Sequence, residues 1–220
     1  MTLKSFFSRL SAYVLVLVGI FAIIAYDASE TNFSESSVTE YAQEFFLLLM
    51  VGISFFAYKK YRRFSTLHFS WGLLALAFLV REYNNFAHDY LFPYAWSTIV
   101  IALLLYLGFF LYRNFDRWKR EFTSAANSYA FAILLVGMLI LQVFSRLYGL
   151  PFMWEALMSD QYLHSIIRAS EESIELLGYS ILLIGTVEFY LLTKQRTAQV
   201  LVNKGQHGPM APRSIFLQRC

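Results

Sequence analysis

The sequence predicts an all-α integral membrane protein of six transmembrane helices, with the N and C termini cytoplasmic and a short interfacial helix between spans 5 and 6. Three observations carry that expectation. Hydrophobic residues make up 58% of the 220 and charged residues only 15%, with a mean hydropathy of +0.49; soluble domains carry about 25% charged residues. Uncharged runs recur at the length needed to cross a hydrocarbon core of about 30 Å, roughly 20 helical residues. The basic residues are also segregated along the chain, in the pattern that sets orientation in a bilayer.

Residues 10–26, LSAYVLVLVGIFAIIAY, follow Lys4 and Arg9 and contain no charge. No A-x-A cleavage pattern succeeds them and further spans come after, so the run reads as a retained anchor and not a signal peptide. The polar stretch DASETNFSESSVTE is the first external loop; within it, Asn32-Phe33-Ser34 matches a glycosylation acceptor, a pattern that also arises by chance. Span 2 runs from about Tyr41 to Tyr58 and stops at KKYRR, and span 3 from Phe64 to Arg81. Helix is expected to continue through REYNNFAHDY as far as Pro93, which starts span 4, from Tyr90 to Tyr112. After a short basic connection, RNFDRWKRE, the uncharged run Phe122 to Ser145 is span 5. LYGLPFMWEALMSDQY is too short to span and too apolar for a free loop, so it is expected to lie in the outer interface. Span 6 runs on from HSIIRASEESIELLGY to Lys194. The division is then 1–193, a six-span domain, and 194–220, a mobile cytoplasmic tail with Gly and Pro breakers.

In this layout 15 of the 18 basic residues face the cytoplasm, leaving Arg81, Arg146 and Arg168 outside. The acids do the reverse, 12 of 15 lying outside. The expected location is therefore a cytoplasmic (inner) membrane, multi-pass, with the lipid bilayer as the principal partner. No nucleic-acid partner is expected; a membrane-protein partner or a homo-oligomer is. The single cysteine, Cys220, is the last residue, which excludes an internal disulfide and a thiolate metal site.

Charge enters the last span at His164, Arg168, Glu171 and Glu175, which fall within roughly 60° of one another on a helix. With Glu44, Arg81, Glu82, His88, Asp89 and Glu172 they form a candidate polar cluster at the external ends of spans 2, 3 and 6. Depth separates its members. At about 1.5 Å per residue, Glu44 lies about 22 Å from Lys59, roughly two turns short of the outer boundary, whereas Glu175 and Arg81 sit near the edge. Glu44 is thus the carboxylate most in need of a partner. Glu188, roughly 9 Å inside the cytoplasmic edge, is read as reaching the inner interface or pairing with a neighbouring cation, without a site role.

The residue types support several functions. Arginine-carboxylate pairs from Arg81, Arg146 and Arg168 would make a structural salt-bridge network or a partner-binding face. His88, His164, Glu171 and Glu175 would supply ligands for a divalent metal such as Zn, Mn or Fe, and so a metal-dependent hydrolase acting on a lipid or lipid-linked substrate. An acid-rich vestibule would suit a proton- or cation-coupled transporter, although no polar path beyond Glu175 is apparent from the sequence. His88-Asp89 in a six-span frame is similar to membrane hydrolases of the alkaline ceramidase type. That family carries HxxxH in a late helix, and here Arg168 stands four after His164, so its roles are not carried over. No phosphate loop, nucleophile elbow or dinucleotide fingerprint is present.

Overall fold

The computed structural model of the protein describes residues 3–30, 37–83, 94–158 and 164–206, and among these every regular element is helical. The helices are α1 (Leu3–Glu30), α2 (Val38–Lys60), α3 (Ser65–Glu82), α4 (Ala95–Arg113), α5 (Phe115–Ala126), α6 (Tyr129–Tyr148), α7 (Pro151–Met158) and α8 (His164–Gln206). Five of them, α1, α2, α4, α6 and α8, are long and apolar enough to cross a membrane. The 18-residue α3 falls outside that set. Its first turn carries Ser65, Thr66 and His68 and its last Arg81 and Glu82, which dilute its apolar character.

Local chemistry sets the helix ends. Ser37 caps α2 by accepting from the Glu40 amide at 3.2 Å, and Lys59 and Lys60 complement the dipole at the other end. Four residues then reverse the chain into α3, with Phe64 held in the left-handed region at φ 57°. Span 4 begins at Ala95 after Tyr94; Pro93 lies outside the described residues.

Two boundaries differ from the sequence expectation. The uncharged run Phe122 to Ser145 is not one helix. Ser128 caps a new start by accepting from the Phe131 amide at 3.3 Å, so the span is Tyr129–Tyr148. Phe122 belongs instead to α5, a twelve-residue amphipathic helix occupying what the sequence suggested was a simple basic connection. Absence of charge carries no information on where the hydrogen-bond ladder breaks; the Asn127-Ser128 pair did. The last helix likewise does not end at Lys194 but continues to Gln206. At 43 residues it is about 64 Å long, more than twice a bilayer core.

That helix is the axis of the molecule. In α8, 67% of the membrane-length segment is buried, against 6% in α1 and in α4. It packs on α2, α6, α1 and the short end of α6, while α4 sits outside α3. The core cluster joins Leu47 and Met50 of α2, Phe64 and Leu67, Leu134 and Leu141 of α6, and Tyr179, Leu182 and Phe189 of α8. The outward faces of α1 and α4 show Leu15, Phe21 and Leu105 at about 70% exposure. A continuous apolar exterior of this kind matches hydrocarbon and not water.

Helices α6 and α8 approach through reciprocal glycines. A Cβ on Gly137 would stand 2.8 Å from Leu182, and one on Gly185 2.8 Å from Leu134; one on Gly178 would meet the Leu141 backbone at 3.3 Å. Removing the side chains lets leucines of one helix seat against the backbone of the other, which is how helices associate where lipid competes for apolar contact. Leu141 lies in a π-helical turn, Ile140–Phe144. Gly72 also makes a close contact, against Ser54 and Phe55 of α2, whereas Gly19, Gly52 and Gly108 face open space.

Candidate functional site

Alternate ends of the helices gather at one pole: the start of α2, the end of α3, the end of α6 and the start of α8. Side chains on α8 diverge there to three neighbours. Glu171 and Glu175, on one stripe, both accept from Arg146 of α6, at 2.7 and 2.6 Å. Arg168 and Glu172, four residues apart on the adjoining stripe, face α2: Arg168 lies 3.6 Å from Glu40, and Glu172 accepts from the Gln43 amide at 3.1 Å. Tyr179 turns to α3, donating to Glu82 at 2.6 Å and accepting from Arg81 at 3.1 Å, while Arg81 donates to Glu82 at 2.7 Å. Each arginine is matched to carboxylate, and all of these contacts except the Arg81–Glu82 pair within α3 tie a neighbouring helix to α8.

The expected cluster is thus assembled in part. Arg81, Glu82, Arg168, Glu171, Glu172 and Glu175 come together. Glu44 joins its edge, half-buried and hydrogen-bonded to Tyr83, with Glu82 near enough to repel it. The residue of α2 turned inward is its neighbour Gln43, 1% exposed and in line with Leu47, Met50 and Ser54. One residue is 100° on a helix, and the depth count, which singled out Glu44, says nothing of rotation. Glu40, absent from the sequence candidates, takes the Arg168 contact because it too lies on this side of α2. His88 and Asp89 lie outside the described residues, as does the side chain of His164. Among the described residues no three His, Cys, Asp or Glu side chains converge as metal ligands would.

Polar contacts continue down α8 where no path was expected. Thr186, seven residues beyond Tyr179, donates to the Leu182 carbonyl at 2.8 Å and accepts from Trp71 Nε1 at 2.8 Å. Another seven on, Thr193 donates to the Phe189 carbonyl at 2.8 Å and meets His68 Nε2 at 2.9 Å. With the Thr193 hydroxyl donating to the Phe189 carbonyl, its oxygen accepts from His68 Nε2 in the tautomer that carries the proton there. A heptad step returns to nearly the same face of α8, so Tyr179, Thr186 and Thr193 form a row of rungs to the antiparallel α3. The rungs are spaced by nearly two turns along α8. They align two helices.

A second ionic centre lies toward the basic pole. Glu188, 1% exposed, accepts from Arg9 at 2.6 Å and from Tyr129 at 2.5 Å, and also from Tyr13. Pairing with a cation was one of the two outcomes expected for it, but its partner is 179 residues away and no local pattern names it. At the other end of α1, Asp27 accepts from the amides of Val38 and Thr39 at 3.1 and 2.6 Å, capping α2 from outside. The largely exposed α1 is therefore held by polar latches near both ends.

No protein-family model matches the sequence, and no curated protein or solved structure matches it either.

Proposed function

We propose that the protein is a six-span, multi-pass component of a cytoplasmic (inner) membrane, with both termini cytoplasmic, α3 as the sixth span and α7 lying in the outer interface. Its ionic cluster is a structural clamp that holds α2, α3 and α6 against α8 and presents an acidic face to a membrane-protein partner or a second copy. The charge segregation supports this orientation, since Lys59, Lys60, Arg113 and Arg117 end or follow spans at one pole while the cluster occupies the other. The observation that carries the clamp is Arg146, whose two terminal nitrogens engage Glu171 and Glu175 separately across a helix interface. Glu175 is 5% exposed, and a carboxylate so placed without its cation is costly.

The test is Arg146→Ala together with metal analysis of the purified wild type. Loss of thermal stability by about 1–3 kcal/mol in the variant, with no stoichiometric metal in the wild type, is the expected result. Stoichiometric metal that disappears in Glu171→Ala would instead establish the metal-dependent hydrolase. One further observation favours a second reading, proton- or cation-coupled transport: Glu40, Glu44, Glu82 and Glu172 repel one another across α2, α3 and α8, with Arg81 and Arg168 as the cations among them. Liposome uptake abolished by Glu44→Gln, at unchanged stability, would decide for it.

A further inference from the structure

Helix α5 joins the ends of two apolar helices with almost no slack. Asn114 alone separates it from α4, and Asn127 and Ser128 separate it from α6. A twelve-residue helix, about 18 Å long and tethered so closely at both ends, lies at the level where those helices would leave the hydrocarbon. Tyr112 and Phe115, 83% and 54% exposed at the first junction, are aromatic residues of the kind that mark that level.

The two sides of α5 differ. Phe115, Trp118 and Phe122 stack along one stripe at 6.2 and 4.9 Å, and Trp118 and Phe122 pack on the core. Glu121 accepts from the Leu67 amide at 3.1 Å and from Arg117 at 2.9 Å, and Arg117 donates to the Ser65 hydroxyl at 2.5 Å, so the helix is fixed in rotation. Its outward side carries Lys119, Arg120, Thr123 and Ser124, which together line a shallow depression of about 430 Å³. Arg196 of α8 reaches the rim, donating to the Ser124 carbonyl and hydroxyl oxygens at 3.0 Å each. Thr123 spends its proton on the Lys119 carbonyl at 2.9 Å, whereas the Ser124 hydroxyl donates to nothing among the described residues. Among the described residues no ion pair engages Lys119, Arg120 or Arg196, and exposed Asp116, one turn back, forms none either.

We infer that this depression holds the phosphate of an anionic phospholipid headgroup. Two cations on α5, an arginine fixed from a second helix and a hydroxyl with a free proton supply the charge and the donors that a phosphate takes up. The short tethers put them at headgroup depth, which favours lipid over a soluble anion as its source. Orientation in a bilayer asks only that cations be numerous at this pole, and not that they meet from two helices at one depression. The inference rests on the reading of α4 and α6 as spans and is independent of the role of the ionic cluster at the far pole.

Native mass spectrometry of the full-length protein, released from neutral micelles doped with equal amounts of phosphatidylglycerol and phosphatidylcholine, provides the test. Retention of phosphatidylglycerol over phosphatidylcholine by about fivefold or more is expected, since each Lys or Arg at an anionic headgroup contributes several-fold. Lys119→Gln with Arg120→Gln should abolish most of that preference. Lys59→Gln with Lys60→Gln, an equal loss of exposed positive charge at the same pole, should leave it nearly intact. Equal falls in the two variants mean attraction by net charge alone and overturn the proposal, as does wild-type protein without a preference. Displacement of the lipid by millimolar inorganic phosphate would assign the depression to a soluble anion and overturn the choice of lipid. Protein that is monodisperse without detergent or lipid would refute the spans themselves, whereas lost selectivity in monodisperse micellar particles refutes the site alone.

Discussion

Separating Arg9 from Glu188 tests whether a peripheral helix is held by a buried ion pair. The Glu188 side chain is 2% exposed and that of Arg9 17%. Arg9→Met leaves the carboxylate in place with only the Tyr13 and Tyr129 hydroxyls as donors. Breaking a buried pair from one side costs about 3–5 kcal/mol, because the stranded charge keeps its desolvation cost and loses its compensation. Glu188→Gln strands the guanidinium instead, but Arg9 lies within two turns of the start of α1 and has a flexible stem that reaches toward the interface. That substitution should cost less, about 1–2 kcal/mol. In the double variant no charge is stranded, so its loss should fall below the sum of the singles by about 1.5 kcal/mol or more. The assay is a double-mutant cycle by reversible SDS-driven unfolding in mixed micelles, read by far-ultraviolet circular dichroism. Independent sites add within about 0.5 kcal/mol, and additivity of that quality would refute the reasoning.

Three further predictions follow from the packing. Gly137→Ala should destabilise by about 1–3 kcal/mol in the same assay, since its methyl would meet Leu182 at 2.8 Å and the Leu182 backbone nitrogen at 3.1 Å, while Gly52→Ala, with open space around it, should be neutral. Thr193→Val removes the acceptor for the fully buried His68 Nε2 and should cost about 1–3 kcal/mol; His68→Phe in that background should recover part of it, and a failure to recover any would argue against the rung. Asp27→Ala should cost about 0.5–2 kcal/mol and speed hydrogen exchange at the Val38 and Thr39 amides specifically; unchanged exchange there would show that α2 is capped by Ser37 alone.

Much of the helical layout is legible from the chain because each span is a local property. Val38–Lys60 and Ser65–Glu82 lie within three residues of their sequence boundaries, since charge and cap residues mark both ends. The stripe on α8 is legible for the same reason: Glu171 and Glu175 share a face by helical phase, and they share Arg146 in the structure. What was missed shares a different character. Thr186, Thr193 and Trp71 are uncharged and common in membrane helices, and only their pairing marks them. Their spacing of seven on α8 was the available signal, visible once Tyr179 is taken as the first rung. Glu40 was read only as one acid of the outer vestibule, since nothing local to α2 names Arg168 as its partner.

The chain by itself determined that apolar helices form, where charge accumulates along them, and which pole is basic. Those outcomes follow from backbone hydrogen bonding and the cost of placing charge in hydrocarbon, and both act residue by residue. Only the tertiary structure decided that α8 is the axis, that Gln43 and not Glu44 turns inward, and that Arg9 reaches Glu188. Lipid is as apolar as a leucine face, so hydrophobicity does not choose which sides of two helices meet. The choice falls to shape and hydrogen bonding, to a glycine opposite a leucine or a hydroxyl opposite a ring nitrogen, and these exist only when both helices are present.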